Sequence, residues 1–389
     1  MKRAEGYRLG FWKGVFFLLV AVGTALSVVR YTRGLGSVTN LSDAFPWGLW
    51  IGFDVLCGVG LAAGGFTITT VVYVFNVKRW KPIVRPTILT AFLGYLLVVV
   101  ALAYDLGRPW NLARPWNLWN PHSVMFEVAW CVILYNTVLA LEFSGMVFER
   151  LGWTRALVVQ QAATLPLVLA GALLSTLHQS SLGSLYLIVP GKLHPLWYSP
   201  LLPVLFLVSS VCVGLAMVIV ESRLSARAFG RRLEMPLLSE VGRVLVAALG
   251  FYGVVRVYDL AHRHALGRAF DGSAESLLFQ LEFLLGVVLP MGLLARPAVR
   301  RHCQGLYASG LLVIMGFVVN RLNVSITGFE SAQGGHYVPA WSELAITVML
   351  VALGFAAFSL AVKHLAVYPQ AASIEGAGLL AAAAPAAAR

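Results

Sequence analysis

The 389-residue chain is 59% hydrophobic and only 12% charged, with a mean hydropathy of +0.80, which sets it apart from soluble domains. It is read as an integral membrane protein. Its formal net charge of +12 falls mostly in the connections between apolar runs, where it serves as a topology signal, so no nucleic-acid partner is needed to explain it.

Crossing a hydrocarbon core of ~30 Å takes roughly 20 apolar residues, and about ten such runs succeed one another along the chain. They lie near 11–29, 47–75, 84–104, 122–146, 155–178, 198–220, 240–258, 276–295, 305–321 and 341–362. The expected fold class is all-α, a polytopic transmembrane helical bundle. With residues 1–10 inside, the basic residues flanking alternate runs collect on one side: Lys2, Arg3, Arg8 and Lys13, then Lys78, Arg79, Lys81 and Arg85, then Arg150 and Arg155. Arg223, Arg227, Arg231, Arg232, Arg243, Arg296, Arg300, Arg301, Lys363 and Arg389 join them, making about 20 of the 29 lysines and arginines, and the excess marks the cytoplasmic side. Both termini are accordingly expected in the cytoplasm. The first run has the basic start of a secretory signal, but it is long and no small-residue cleavage site follows before Arg30, so a retained helix is expected. Residues 366–389 form an alanine-rich, low-complexity tail.

Cys57, Cys131 and Cys212 fall within runs and Cys303 in a loop, without the paired spacing of an iron–sulfur or zinc site. They read as small buried hydrophobes.

The polar residues near the membrane carry more information. An ionisable group at the bilayer centre costs roughly 2.5–3.5 kcal/mol to insert, so those that persist usually face protein or water. Asp54 sits about 10 Å into the second run at 1.5 Å per helical residue. Asp105 and Arg108 end the third, His122 and Glu127 open the fourth, and Ser175, His178 and Gln179 end the fifth. All belong to the outward side. Residues three or four apart share a helix face, which aligns Ser123, Glu127 and Cys131, then Gly171, Ser175 and His178, and then Trp50, Asp54 and Gly58. The expectation is that runs two to five gather these groups around one cavity. The connector YDLGRPWNLARPWNLWNPHSVMFEVAW at 104–130 would be its lid.

Each residue also has a plainer explanation. His122 can cap the fourth helix and His178 can mark the water boundary; Asp105 and Arg108 can be a local ion pair. Trp110, Trp116 and Trp119 can belong to an interfacial aromatic belt. Asp54 and Glu127 resist such readings because of their depth. Glu142, Gln160 and Gln161 toward the cytoplasm read as a helix end reaching water. Arg256, Asp259, Glu282, Asn320, Arg321, Asn323 and Glu343 read as structural pairs between later helices, or as a second cluster.

Axial haem ligation needs histidines on facing helices at matched depth. His194, His262, His264, His302 and His336 fall in predicted loops and His122, His178 and His364 at run ends, so no haem is expected. A membrane-dissolved quinone, which takes up two electrons and two protons, matches hydrogen-bond donors and titratable groups gathered at one face.

PWGLWIGFDVLCGVGLAAGGFT at 46–67, TAFLGYLLVVVALAYDLGRPWN at 90–111, NPHSVMFEVAWCVILY at 120–135, LEFSGMVFERL at 141–151 and NRLNVSITG at 320–328 resemble the NrfD family of polysulfide-reductase-type membrane subunits. More closely, they resemble its HybB branch, the membrane subunit of periplasmic nickel–iron hydrogenases. The resemblance covers about residues 10–365. It implies two four-helix bundles with flanking helices: a quinone bundle at about 47–178 and a second bundle at about 198–321, within a transmembrane domain of 11–365. It further implies a subunit of the bacterial inner membrane without haem or iron–sulfur cluster of its own, not active alone. Such a subunit passes electrons from a periplasmic ferredoxin-like iron–sulfur subunit, fed by the hydrogenase large and small subunits, to menaquinone or ubiquinone. Carried onto this sequence, Asp105, Arg108 and His122 become candidates for quinone binding, and Asp54, Glu127 and His178 for proton transfer. The duplicated RPWNL at 108–112 and 114–118 stands outside the family pattern. The alternatives are a quinone module serving another periplasmic partner (a sulfur-compound or multihaem cytochrome module), a proton or small-solute transporter, and a passive anchor.

Overall fold

Backbone amides and carbonyls inside hydrocarbon must be paired within their own segment, which leaves helices as the way for these apolar runs to cross. The computed structural model describes residues 2–43, 45–188, 191 and 193–368 and is helical throughout, with no strand among the described residues. The alanine-rich tail from residue 369 onward lies outside them. Among the described residues, ten helices are long and apolar enough to span a membrane: Gly10–Arg33, Trp50–Val74, Lys78–Asp105, Val124–Leu151, Thr164–Leu185, Leu202–Phe229, Met235–His262, Ala274–Ala295, Cys303–Ala332 and Trp341–His364. They are called spans one to ten below. The protein is a multi-pass integral membrane protein. The ends carrying Lys78, Arg150, Arg232 and Arg301 are called the basic face, and the other ends the opposite face.

Spans two, three, four and five pack in a closed ring, with span two returning to span five. Spans six, seven, eight and nine close a second ring. Span six is the hub, lying against spans two and five as well as seven and nine. Spans one and ten pack on each other, and span ten also lies on span three.

Glycine sets two of the tightest crossings. A methyl group on Gly214 of span six would lie 2.6 Å from the Gly64 nitrogen of span two, and one on Gly316 of span nine would lie 2.1 Å from Gly286 Cα of span eight. Small residues let membrane helices approach this closely.

Span two departs most from a regular helix. It runs as a π-helix over Trp50–Cys57, an α-turn over Gly58–Leu61, a break at Ala62–Ala63, an α-segment over Gly64–Thr69 and a second π-segment over Thr70–Val74. The Cys57 thiol donates to the Gly52 carbonyl five residues back at 3.3 Å. Such wide turns re-aim side chains and commonly sit at functional positions. Further π-segments occur at Leu284–Val288 in span eight and Asn323–Thr327 in span nine.

The fifth span corrects its predicted bounds of 155–178. A separate short helix covers Thr154–Ala162, and the span itself is Thr164–Leu185. Hydropathy missed its last seven residues because they include Gln179, Ser180, Ser181 and Ser184. In the fold these polar groups are satisfied locally: the serine hydroxyls donate to carbonyls three or four residues back, and Gln179 Nε2 donates to the Val59 carbonyl at 3.1 Å. His178 therefore lies two turns inside the helix, not at its edge.

Candidate functional site

Intramembrane polar residues are informative chiefly through the partners they find. The six sequence-selected residues divide into three groups.

His178 occupies the centre of the first ring. It is fully buried, and neither ring nitrogen has a hydrogen-bond partner. The Tyr95 ring meets it edge-on at 5.5 Å between centroids, and Tyr95 in turn meets Tyr135 at 4.6 Å. The Tyr95, Tyr135 and Ser175 hydroxyls are likewise buried, with Ser175 close enough to interact with both tyrosines. Three spans thus direct polar groups into one apolar core: span three gives Tyr95, span four gives Tyr135, and span five gives Ser175 and the two unpaired nitrogens of His178. Gln179 beside them is fully engaged, its Oε1 accepting from Ser210 of span six at 2.6 Å.

One turn nearer the opposite face, Ser181 donates to Glu127 Oε1 at 2.5 Å, tying spans four and five. Glu127 is otherwise exposed. It stands in the first turn of span four, where a helix N-terminus favours negative charge. The cap is Ser123, whose side chain accepts from the Phe126 amide at 3.4 Å, so the capping role weighed for His122 belongs to its neighbour. His122 and Arg108 are both exposed on the connector. Trp116 and Trp119 from the same connector lie against Trp130 of span four, with centroids 4.9 and 5.5 Å away.

Asp54 and Asp105 face the other way. Asp54 Oδ2 accepts from Thr347 of span ten at 2.7 Å. One helical turn nearer the opposite face, Trp50 Nε1 donates to the Glu343 carbonyl at 3.3 Å. Trp50 and Asp54 do share a face, as their spacing predicts, but Gly58 abuts Val98 of span three. Asp105 feels the charges of Arg30, Glu343 and Asp54, and its Oδ1 is buried without a partner. No ion pair joins Asp105 to Arg108 among the described residues. The buried Arg30 side chain donates to the Tyr104 and Leu106 carbonyls at 2.8 and 2.6 Å, closing the end of span three. Glu343 is completely buried and saturated: Oε1 accepts from the Asn40 and Ala340 amides at 3.0 and 3.1 Å, and Oε2 from the Tyr337 hydroxyl. Burial and the Glu343 carboxylate push the Tyr337 hydroxyl, which lies in the loop before span ten, well above its ordinary range. It remains a donor.

The expectation of one hollow collecting polar groups from spans two to five is corrected accordingly. Span two turns Asp54 toward span ten, whereas Glu127 and His178 converge on spans four and five. Residues that join the site without having been singled out are Arg30, Tyr95, Tyr135, Tyr337 and Thr347. Tyr95 and Tyr135 stood inside apolar runs and carried no charge to mark them, and Tyr337 stood in a predicted loop.

The second ring holds its own polar centre, where Glu282 accepts from Trp197 Nε1 at 3.2 Å to each oxygen, from Asn320 at 3.0 Å and from Asn323 at 2.7 Å. Arg321 donates to Asn320, Ser209 and the Phe206 carbonyl, with its guanidinium 3.7 Å from the Phe206 ring centroid. Arg256 donates to the Leu196 carbonyl at 2.9 Å. Of the residues grouped with these from sequence, Asp259 instead pairs with Arg263 and Ser199, and Glu343 belongs with Asp105. The adjoining cavity, lined by Glu282, Tyr252, Ser209 and Gly286 among others, has about 30 Å³ of space. That is room for a water and far too little for a quinone ring.

Among the described residues no three His, Cys, Asp or Glu side chains stand close enough to hold a metal ion. The unpaired nitrogens of His178 suit a ligand or water that offers both donors and acceptors.

The family model described as "Polysulphide reductase, NrfD" matches residues 37–332. A protein of Nitratidesulfovibrio vulgaris Hildenborough is 41% identical over 344 residues, 86% of this chain and 88% of its own length. The probable Ni/Fe-hydrogenase 2 b-type cytochrome subunit of Escherichia coli K12 is 36% identical over 361 residues, 91% of this chain and 92% of its own. The integral membrane subunit of menaquinone reductase from N. vulgaris Hildenborough is 29% identical over 397 residues, 93% of each.

Proposed function

This chain belongs to the NrfD polysulphide reductase family, and from that premise we propose that it is the quinone-reactive membrane subunit of a periplasmic respiratory nickel–iron hydrogenase complex. It anchors that complex in the bacterial inner membrane and passes electrons from a ferredoxin-like iron–sulfur subunit to menaquinone or ubiquinone. The observation that carries the reading is His178 with both nitrogens unpaired in the core of the first ring, one turn below Glu127 and Ser181. Leaving such atoms unpaired in an apolar core is costly, and a site that must exchange protons with a bound molecule gives them a use. The hydrogenase assignment draws on the Escherichia coli relative. The menaquinone reductase relative supports a second reading, a quinone module served by a different periplasmic partner.

Reduction of a quinone to a quinol consumes two electrons and two protons. Electrons arrive from the partner, and the protons must come through this chain. Glu127 is placed for proton donation at the outward end, held by Ser181. His178 stands behind it as the next titratable group inward, its ring fixed by Tyr95. Arg108 and His122, on the exposed connector, are the proposed contacts to the head group at the rim. Asp54 and Asp105, on the side of spans one and ten, are the proposed route for proton exchange with outer water.

In membranes holding the whole complex, Glu127→Gln should lower hydrogen-dependent reduction of a menaquinone analogue about 100-fold, the scale of a lost general acid. Assembly should stay normal, because the amide still accepts from Ser181. Unchanged turnover in both Glu127→Gln and His178→Ala would contradict the site. Loss of turnover with benzyl viologen in place of the quinone analogue would mean damage to the partners instead.

A further inference from the structure

Trp116 and Trp119 of the connector form an aromatic cluster with Trp130 of span four. Trp130 is three residues beyond Glu127, on the adjoining turn of the same helix. Its indole N–H is buried and has no acceptor. Against the Trp130 ring lie Trp116, tilted at 59° with centroids 4.9 Å apart, and Trp119, edge-on at 63° and 5.5 Å. Trp119 also meets Phe126 at 5.0 Å, and Phe126 meets Trp130 at 6.1 Å. The two covering rings are themselves 63% and 70% exposed, and they sit on short connector segments, Trp116 in the four-residue helix Arg114–Asn117 and Trp119 in the irregular chain beyond it. The fixed partner is thus part of a 28-residue span, whereas the cover belongs to a short connector.

A cover of this kind is replaceable by another planar ring that makes the same tilted contact. A ligand ring bearing a carbonyl does better than the cover, because it also supplies the acceptor that Trp130 lacks. Building on the quinone reading above, we infer that Trp116 and Trp119 are a displaceable lid, and that the quinone takes their place at the edge of Trp130, its carbonyl accepting from the in-plane indole N–H, with Glu127 one turn away to protonate the ring. One edge-on aromatic contact is exchanged for another, and one hydrogen bond is gained. A naphthoquinone, with two fused rings, replaces more of the two-tryptophan contact than a benzoquinone and is the favoured substrate class. Tryptophans serving only as an interfacial belt would anchor in lipid without regard to the quinone.

The two reports of this arrangement have opposite signs. The assembled complex is titrated with heptyl-hydroxyquinoline N-oxide, a fluorescent quinone analogue that is quenched on binding. Trp130→Phe keeps an aromatic ring but removes the donor, and should weaken binding about fivefold, the scale of one hydrogen bond. The double variant Trp116→Ala/Trp119→Ala removes the internal competitor and should tighten binding several-fold. The single variants, each with a smaller effect of the same sign, serve if the double one fails to assemble. Trp110→Ala, which removes a ring outside the cluster, should change nothing. Equal affinities throughout, or weakening by both kinds of change, would overturn the lid. If the wild-type complex fails to quench the probe at all, the quinone reading itself falls, whereas quenching abolished by His178→Ala but untouched by every tryptophan change removes only the present inference.

Discussion

At the level of single residues, the chain handles buried charge in two contrasting ways. Glu282 and Glu343 are saturated by three or more donors each, the arrangement that lets a carboxylate remain in an apolar interior. Both ring nitrogens of His178 are left open. The saturated groups hold the fold, and the open ring is the candidate for chemistry. Replacing Glu282 by alanine strands three amide or indole donors and removes the carboxylate charge near Arg256 and Arg321. Removing one partner of a buried charged network costs about 3–5 kcal/mol, so the variant should unfold in detergent at clearly lower temperature than wild type. His178→Phe, which replaces an unpaired ring with an apolar one, should unfold at the same temperature or higher while quinone reduction is lost. Thermal unfolding followed by tryptophan fluorescence checks both. The ionisable residues were visible in the sequence because charge in an apolar run stands out. Their partners were not, since Tyr95, Tyr135 and Thr347 are ordinary members of membrane helices and only the fold says whom they face.

At the level of the helix, apolar length located all ten spans, and the errors lie where local bonding alters the meaning of composition. Span five extends to Leu185 because its serines bond back to their own helix. Span two contains π-segments that no period of 3.6 anticipates, and Asp54 consequently serves the interface with span ten. The glycine-rich GVGLAAGG of span two did signal close packing, and Gly64 indeed meets Gly214 backbone to backbone. Among the glycines the fold predicts sharply different tolerances. Gly316→Ala forces spans eight and nine apart and should lower the unfolding temperature by many degrees or abolish assembly. Gly292→Ala, in the same span eight but with nothing within 4 Å of the added methyl, should be neutral or raise it slightly, since alanine favours the helix by about 0.5–1 kcal/mol.

At the level of the whole molecule, two four-span rings share the hub of span six, with spans one and ten laid along one side. Alternation of ten spans puts the basic loops on one face, and the charge excess there argues for the cytoplasm. In a Cys303→Ser background, a cysteine at His336 should react with a membrane-impermeant maleimide added to spheroplasts, and one at Arg301 should react only after the membrane is opened; the reverse pattern would invert the topology. Composition alone fixed the setting and motif resemblance the family. The division of labour between the rings was not legible, because the acids of spans two, three and ten look alike in sequence, and contacts between distant segments decide which of them meet.

The central claim is that the outward end of the first ring, at Glu127, Ser181 and His178, is where a quinone is handled. Photolabelling the assembled complex in native membranes with an azido-naphthoquinone, with and without excess menaquinone, tests it most directly. The account predicts competable adducts within residues 116–131 of the connector and span four and residues 175–185 of span five. Competable adducts confined to the second ring around Glu282, or to the seam between spans two and ten at Asp54, would contradict it.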